Sequence, residues 1–147
     1  MNACILTIGD ELLQGFTADT NSTWLGKILY PYGITIKKNV TVGDDHDVII
    51  DESRKILISN FDFLFVTGGL GPTHDDVTKK AFCKLLSDEM YLDEDYFVHL
   101  KNRFKTLSRN MPEINRSQAM LLKNADVIPN DSGYALGMHY LENNTHI

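Results

Sequence analysis

Residues 61–78 read FDFLFVTGGLGPTHDDVT, and this stretch decides the fold. Residues 61–67 form an apolar run too short for a buried helix, and a glycine follows directly. A short continuous apolar run bounded by a turn signal predicts a strand buried on both faces. Gly68, Gly69 and Gly71 then let the backbone turn tightly and approach a ligand closely. A helix is expected over about residues 75–86, with Val77, Ala81, Phe82, Leu85 and Leu86 on its inner face.

The same alternation runs upstream. Residues 3–8 (ACILTI) form a second apolar run that ends at Gly9. Residues 21–32 space Trp24, Leu25, Ile28, Leu29 and Tyr32 as a helix, with Thr20 or Asn21 as cap and Gly33 as stop. Residues 34–42 read as a strand. Gly43-Asp44-Asp45 caps a helix over about residues 46–59, with Val48, Ile49, Ile56 and Leu57 facing inward. Downstream, a helix spans about residues 93–107 and a short one about residues 113–121. Residues 127–128 and 135–140 read as strands around an Asp-Ser-Gly turn. Strand and helix alternate, which predicts an α/β fold with a mostly parallel central sheet. Crossovers should be right-handed, placing helices on both faces.

The chain has 147 residues and a net charge of −6, from 14 basic and 20 acidic side chains. That length suits one domain over residues 1–147. The acidic balance argues against nucleic acid and against a membrane surface as partners. No run approaches the roughly 18 apolar residues of a membrane helix. Residues 1–12 lack the basic start and long apolar stretch of a signal peptide, so a cytoplasmic protein is expected. Cys4 and Cys83 each sit among apolar residues and read as reduced, buried thiols. Trp24, Tyr32, Phe61, Phe63 and Phe65 read as core rather than as a base-stacking platform.

Ligands of open parallel sheets bind beyond the carboxyl ends of the strands. Gly9-Asp10-Glu11, Gly43-Asp44-Asp45 and residues 68–76 all follow strands, so they should share one rim. Backbone N–H groups of the glycine loop and the next helix favour phosphate there. Thr73 can cap that helix or donate to a phosphate oxygen. Asp75 and Asp76 either compensate the helix dipole or hold a hard cation that bridges phosphate oxygens. Asp10, Glu11, Asp44 and Asp45 bring further carboxylates to the rim. Crowded carboxylates repel, so the loops are well separated or something positive binds. His74 is a contact or a solvent-exposed loop residue, and Arg116 reaches a phosphate or stays on the surface. The other histidines show no metal spacing.

IGDELLQG, TNSTWLGKIL, TVGDD, FVTGGLGPTHDDVT, NRSQA and PNDSGYALGM follow one another in this order. Together they resemble the N-terminal domain of the competence/damage-inducible (CinA) family, whose fold is shared with MoaB/MogA-type molybdopterin-binding proteins. The resemblance covers nearly the whole chain and rests most on GGLGPTxDDxT. It implies a three-layer α/β/α sandwich, a homo-oligomer, and a nucleotide or pterin ligand.

For the CinA side, the implied activity is hydrolysis of the ADP-ribose pyrophosphate with Mg²⁺, Mn²⁺ or Co²⁺. For the MoaB/MogA side, it is molybdopterin binding without catalysis, or molybdopterin adenylylation. The resemblance carries over Gly68, Gly69, Gly71, Thr73, Thr78, Asn21 and Arg116 as phosphate or nucleotide contacts. Asp75, Asp76 and Glu11 become catalytic candidates, and Asp10, Glu11, Asp44, Asp75 and Asp76 metal ligands. Family members continue past the closing ENNTHI into another strand and a Leu-Pro-Gly-Pro-type loop, so a domain lacking its C-terminal end is expected. An open sheet edge would then need a partner. The nicotinamide-nucleotide amidase domain of family members has no counterpart in this sequence, and deamidase activity is not expected.

Overall fold

A computed structural model of the chain describes residues 1–73 and 77–147. Its centre is a five-stranded sheet built from β1 (Asn2–Ile8), β2 (Thr35–Val42), β3 (Phe63–Thr67), β8 (Leu141–Glu142) and β9 (Thr145–His146). Their order across the sheet is β2-β1-β3-β9-β8. β1 runs parallel to β2 and β3, and β9 runs parallel to β3, meeting it at Phe63↔His146. Only β8 is antiparallel to its neighbour. The sheet is therefore mostly parallel, as the alternating pattern predicts.

The main core lies on one face of this sheet. Cys4, Leu6, Ile8, Val42 and Leu64 meet Ile49, Ile50 and Ile56 of α3 (His46–Leu57) and Ala81 and Phe82 of α4 (Thr78–Leu85). Asp45 caps α3 by accepting from the Asp47 and Val48 N–H groups at 2.9 and 3.0 Å. Val48, expected inside, is 48% exposed. The inner stripe instead runs through Ile49, Ile50, Ser53 and Ile56, because Val48 sits in the capped first turn.

The second face carries α2 (Thr20–Leu29), which continues into a 3-10 turn over Tyr30–Tyr32. Its cap is Asp19, whose carboxylate accepts the Ser22 N–H at 2.9 Å, rather than Thr20 or Asn21. A carboxylate one residue upstream outcompetes the hydroxyl because its bond to the helix N–H is charge-assisted. No residue of α2 is buried. Trp24 is 59% exposed and Tyr32 74%, so neither is core. Tyr32 lies past the helix, in the 3-10 turn, and Trp24 borders an open cleft between α2 and β3 rather than packing into the core. Phe63 and Phe65 are half-buried and stack at 5.7 Å between centroids.

A smaller unit completes the domain. α5 (Glu94–Thr106), capped by Asp93, packs Phe97 and Leu100 against Ala119. Leu107, the last residue of the expected helix, is 53% exposed because it already lies past the helix end. The short helix expected near residue 113 is a 3-10 helix, Glu113–Ala119, and it leads into β5 (Met120–Leu122). β5 pairs with β4 (Met90–Leu92), a strand that periodicity does not signal. β6 (Asp126–Ile128) and β7 (Gly137–His139) form the expected antiparallel pair. The remaining helix, α1 (Asp10–Leu13), is one turn at the end of β1. Cys4 is buried and Cys83 half-buried, and both are free thiols. Burial pushes both thiols above the ordinary value. No helix among the described residues is long and apolar enough to cross a membrane.

Candidate functional site

The register of the parallel strands builds the site. Ile8 pairs with Val42, and Thr7 with Thr67, so β1, β2 and β3 end at the same height. The turns that begin at Gly9, Gly43 and Gly68 therefore leave the sheet side by side, on the expected rim.

Two close approaches hold them there. A Cβ on Gly68 would stand 1.9 Å from the Ile8 carbonyl oxygen, and its φ is +100°. Only glycine fits both the space and the backbone conformation. A Cβ on Gly43 would stand 2.2 Å from Asp10 Oδ1. Asp10 and Asp44 in turn bond each other's backbone. Asp44 Oδ2 accepts the Asp10 N–H at 2.9 Å, and Asp10 Oδ1 accepts the Asp44 N–H at 3.3 Å. Amide donors offset part of the repulsion between these carboxylates. Glu11 follows Asp10 in the first turn of α1 and is exposed, as is Asp45.

The glycine loop is anchored from the far side by Thr78. Its hydroxyl donates to the Gly68 carbonyl at 2.9 Å and its N–H to the Gly69 carbonyl at 3.3 Å. Thr78 is only 4% exposed, so its hydroxyl shapes the loop from within. α4 begins at Thr78, with Val77 as a cap residue that lends no side-chain bond. Among the described residues the helix runs from Thr78, and the expected start at residue 75 falls outside them. Gly71 is half-buried and Thr73 exposed. His74, Asp75 and Asp76 lie outside the described residues.

Asn21 reaches the same rim from α2. Its Nδ2 donates to Thr67 Oγ1 at 2.8 Å, one residue before Gly68. Arg116 is exposed, lies 3.9 Å from Glu113 on its own 3-10 turn, and sits over the Phe97 ring at 5.7 Å.

Sequence reasoning missed Lys79. It is 6% exposed, and its ammonium donates to the carbonyls of Ser117, Gln118 and Met120 at 3.0, 3.2 and 2.9 Å. It ties the 3-10 turn and β5 to the first turn of α4. The sequence Lys79-Lys80 gives no signal that one lysine points inward.

Asp10, Glu11 and Asp44 offer hard carboxylate oxygens, the donor type that suits Mg²⁺ and similar cations. Among the described residues, no three His, Cys, Asp or Glu side chains are grouped to hold a metal ion. The rim can thus supply part of a cation shell.

Comparison with known proteins agrees with this architecture. Residues 4–141 match the family described as "Probable molybdopterin binding domain". A CinA-like protein of Flavobacterium psychrophilum is 35% identical over 99% of this chain and 35% of its own length. The chain spans about a third of the length of the curated relatives it matches. The crystal structure of CinA from Thermoplasma acidophilum superposes with a TM-score of 0.84 at 27% identity, covering 99% of this chain and 84% of that one. The tungsten cofactor synthesizing protein MoaB of Pyrococcus furiosus shares the fold at a TM-score of 0.57 and 15% identity, covering 99% of this chain and 79% of that one. The family match across residues 4–141, the CinA-like relatives and the superposition on the Thermoplasma CinA structure together place this chain in the molybdopterin-binding domain family, as a CinA-type N-terminal domain.

Proposed function

We propose that the domain binds a nucleotide or pterin through its phosphates at the Gly9, Gly43 and Gly68 rim. In this reading it hydrolyses the pyrophosphate of ADP-ribose or a related dinucleotide. The observation that supports this best is the common height of the three strand ends. It sets the glycine loop beside the Asp10–Asp44 pair. Loop N–H groups neutralise phosphate oxygens, and fixed donors of this kind stabilise charge that develops during phosphoryl transfer. Asp10, Glu11 and Asp44, with Asp75 and Asp76 of the signature, are the carboxylates that would hold a divalent cation. Such a cation would supply charge neutralisation on the pyrophosphate and a water that is nucleophilic at neutral pH. Water adds to one phosphorus, the bridging P–O bond breaks, and AMP and ribose 5-phosphate leave.

A second reading is pterin binding without hydrolysis, or adenylyl transfer to the pterin. The description of the matched family favours the pterin-binding form of it. The chain also fits a homo-oligomer, since Phe16, Tyr30 and Tyr32 are 86, 73 and 74% exposed. Sedimentation tests that assembly.

The deciding assay incubates the domain with ADP-ribose and Mg²⁺, Mn²⁺ or Co²⁺ and follows AMP by chromatography. Hydrolysis predicts AMP release that EDTA abolishes and that Asp75→Asn with Asp76→Asn removes. AMP release indifferent to both overturns the metal and carboxylate mechanism, and no release at all overturns hydrolysis and leaves the binding module.

A further inference from the structure

We propose that Trp24 is the stacking wall of a subsite for a planar nitrogen heterocycle, a purine or pterin ring carried on the phosphate-bearing ligand. This deepens the proposed function and rests on its placement of phosphates at the glycine loop. A cavity of about 270 Å³ lies between α2 and β3, lined by Asn21, Trp24, Leu25, Phe65, Val66 and Thr67. Thr67 immediately precedes Gly68, so the cavity adjoins the phosphate rim.

Complete small-molecule sites occupy about 300–1,000 Å³, so this one suits a part of a ligand rather than a whole dinucleotide. Its chemistry identifies the part. None of the six lining residues is charged, so a phosphate would find no counter-charge there. An aromatic ring would find the Trp24 indole, which is 59% exposed, and the half-buried Phe65. The polar edge is set by Asn21, held at 2.8 Å to Thr67, and its carboxamide can both donate to and accept from a heterocycle. The large exposed side chains Phe16, Tyr30 and Tyr32 lie outside this lining.

Trp24 is the only tryptophan of the chain, so its fluorescence reports on the subsite directly. The domain, with Mg²⁺, is titrated with AMP, neopterin monophosphate, ribose 5-phosphate and inorganic pyrophosphate. A ring stacked on the indole quenches emission, so AMP or neopterin monophosphate quenches while the two ringless probes do not. Whichever ring binds more tightly identifies the source. By calorimetry, Trp24→Ala should weaken that ligand on the order of tenfold, in the range of base–aromatic stacking. Pyrophosphate affinity should not change, and Trp24→Phe should restore most of the loss.

Binding of the ring compounds without quenching, or with wild-type affinity in Trp24→Ala, overturns the subsite. So does a Trp24→Ala variant whose sedimenting mass falls while its affinity holds, which would reassign the indole to contact between copies. Binding of none of the four probes overturns the subsite and the rim site together. AMP is a product, so quenching without ADP-ribose hydrolysis removes only the catalytic reading, and hydrolysis without quenching removes only the subsite.

Discussion

Asp10 and Asp44 each accept the other's backbone N–H, at 3.3 and 2.9 Å, which clamps the turn after β1 to the turn after β2. Two carboxylates thereby serve a structural role at the rim where cation binding is proposed. The two roles separate by substitution. Asp10→Asn keeps an oxygen that can accept the amide but lowers the charge. It should leave stability within about 0.5 kcal/mol while weakening Mg²⁺-dependent activity at least tenfold. Asp10→Ala loses the acceptor as well and should cost about 1 kcal/mol more, the ordinary worth of such a bond. Urea titration beside the AMP assay checks both. Equal activity in Asp10→Asn and wild type would confine Asp10 to its structural role.

Gly68 is the position where the backbone itself leaves no room. A methyl group there would meet the Ile8 carbonyl rather than a side chain that can swing away. Gly68→Ala should therefore destabilise the domain by about 2–4 kcal/mol, combining strain at positive φ with displacement of β1 from β3. Gly43→Ala meets side chains, chiefly the Asp10 carboxylate, rather than backbone and should cost less. Thermal melts of the two variants should rank Gly68→Ala lower. The reverse order would mean that the Asp10–Asp44 clamp dominates the rim.

The sheet and its rim are legible in the sequence because they depend on local pattern. The apolar runs ending at Gly9 and Gly68 mark the strands, β1 almost wholly buried and β3 half-buried apart from Leu64. Gly43-Asp44-Asp45 names both the turn and the Asp45 cap, which the structure bears out. What is not legible depends on tertiary pairing. β4 is three residues long and exists because Met90–Leu92 meets Met120–Leu122. The β8–β9 hairpin turns on Asn143 and Asn144, both with positive φ, and it exists because two two-residue strands pair across it. Trp24 and Tyr32 sit at helical spacing, yet spacing alone does not say whether anything covers the face they form. The acidic half of the signature, Asp75 and Asp76, remains a sequence argument.

Lys79 gives the third prediction. Its ammonium bonds three carbonyls where water has little access. Lys79→Met keeps much of the volume but leaves those acceptors without that donor. Unsatisfied buried polar groups cost about 1–3 kcal/mol each, and partial relaxation reduces the sum. A loss of about 2–4 kcal/mol is expected. Loosening should be concentrated in the 3-10 turn and β5, read as faster amide exchange at Leu121 and Leu122. A loss below about 0.5 kcal/mol would show that the carbonyls find water instead.

Asp19 gives a pH dependence whose sign can be worked out. Partial burial raises its carboxyl, but hydrogen bonds from the Ser22 hydroxyl and amide, with Asn39 and Asn21, outweigh that and lower it below the ordinary value. A carboxyl depressed in the folded state adds stability above its unfolded value, about 3.9. That stability is lost as the pH falls through the folded value, because the unfolded chain takes up the proton first. Asp19→Asn keeps a capping oxygen but has nothing to titrate, and Asp19→Ala removes the cap at a cost of about 1 kcal/mol. The stability difference between wild type and Asp19→Asn should therefore stay flat from pH 7 to about 5 and shrink below about pH 4. Chemical denaturation between pH 2.5 and 7 measures it. A difference that persists undiminished at pH 2.5 would mean that the Asp19 charge contributes nothing to the α2 cap, and that the hydrogen bond alone sets it.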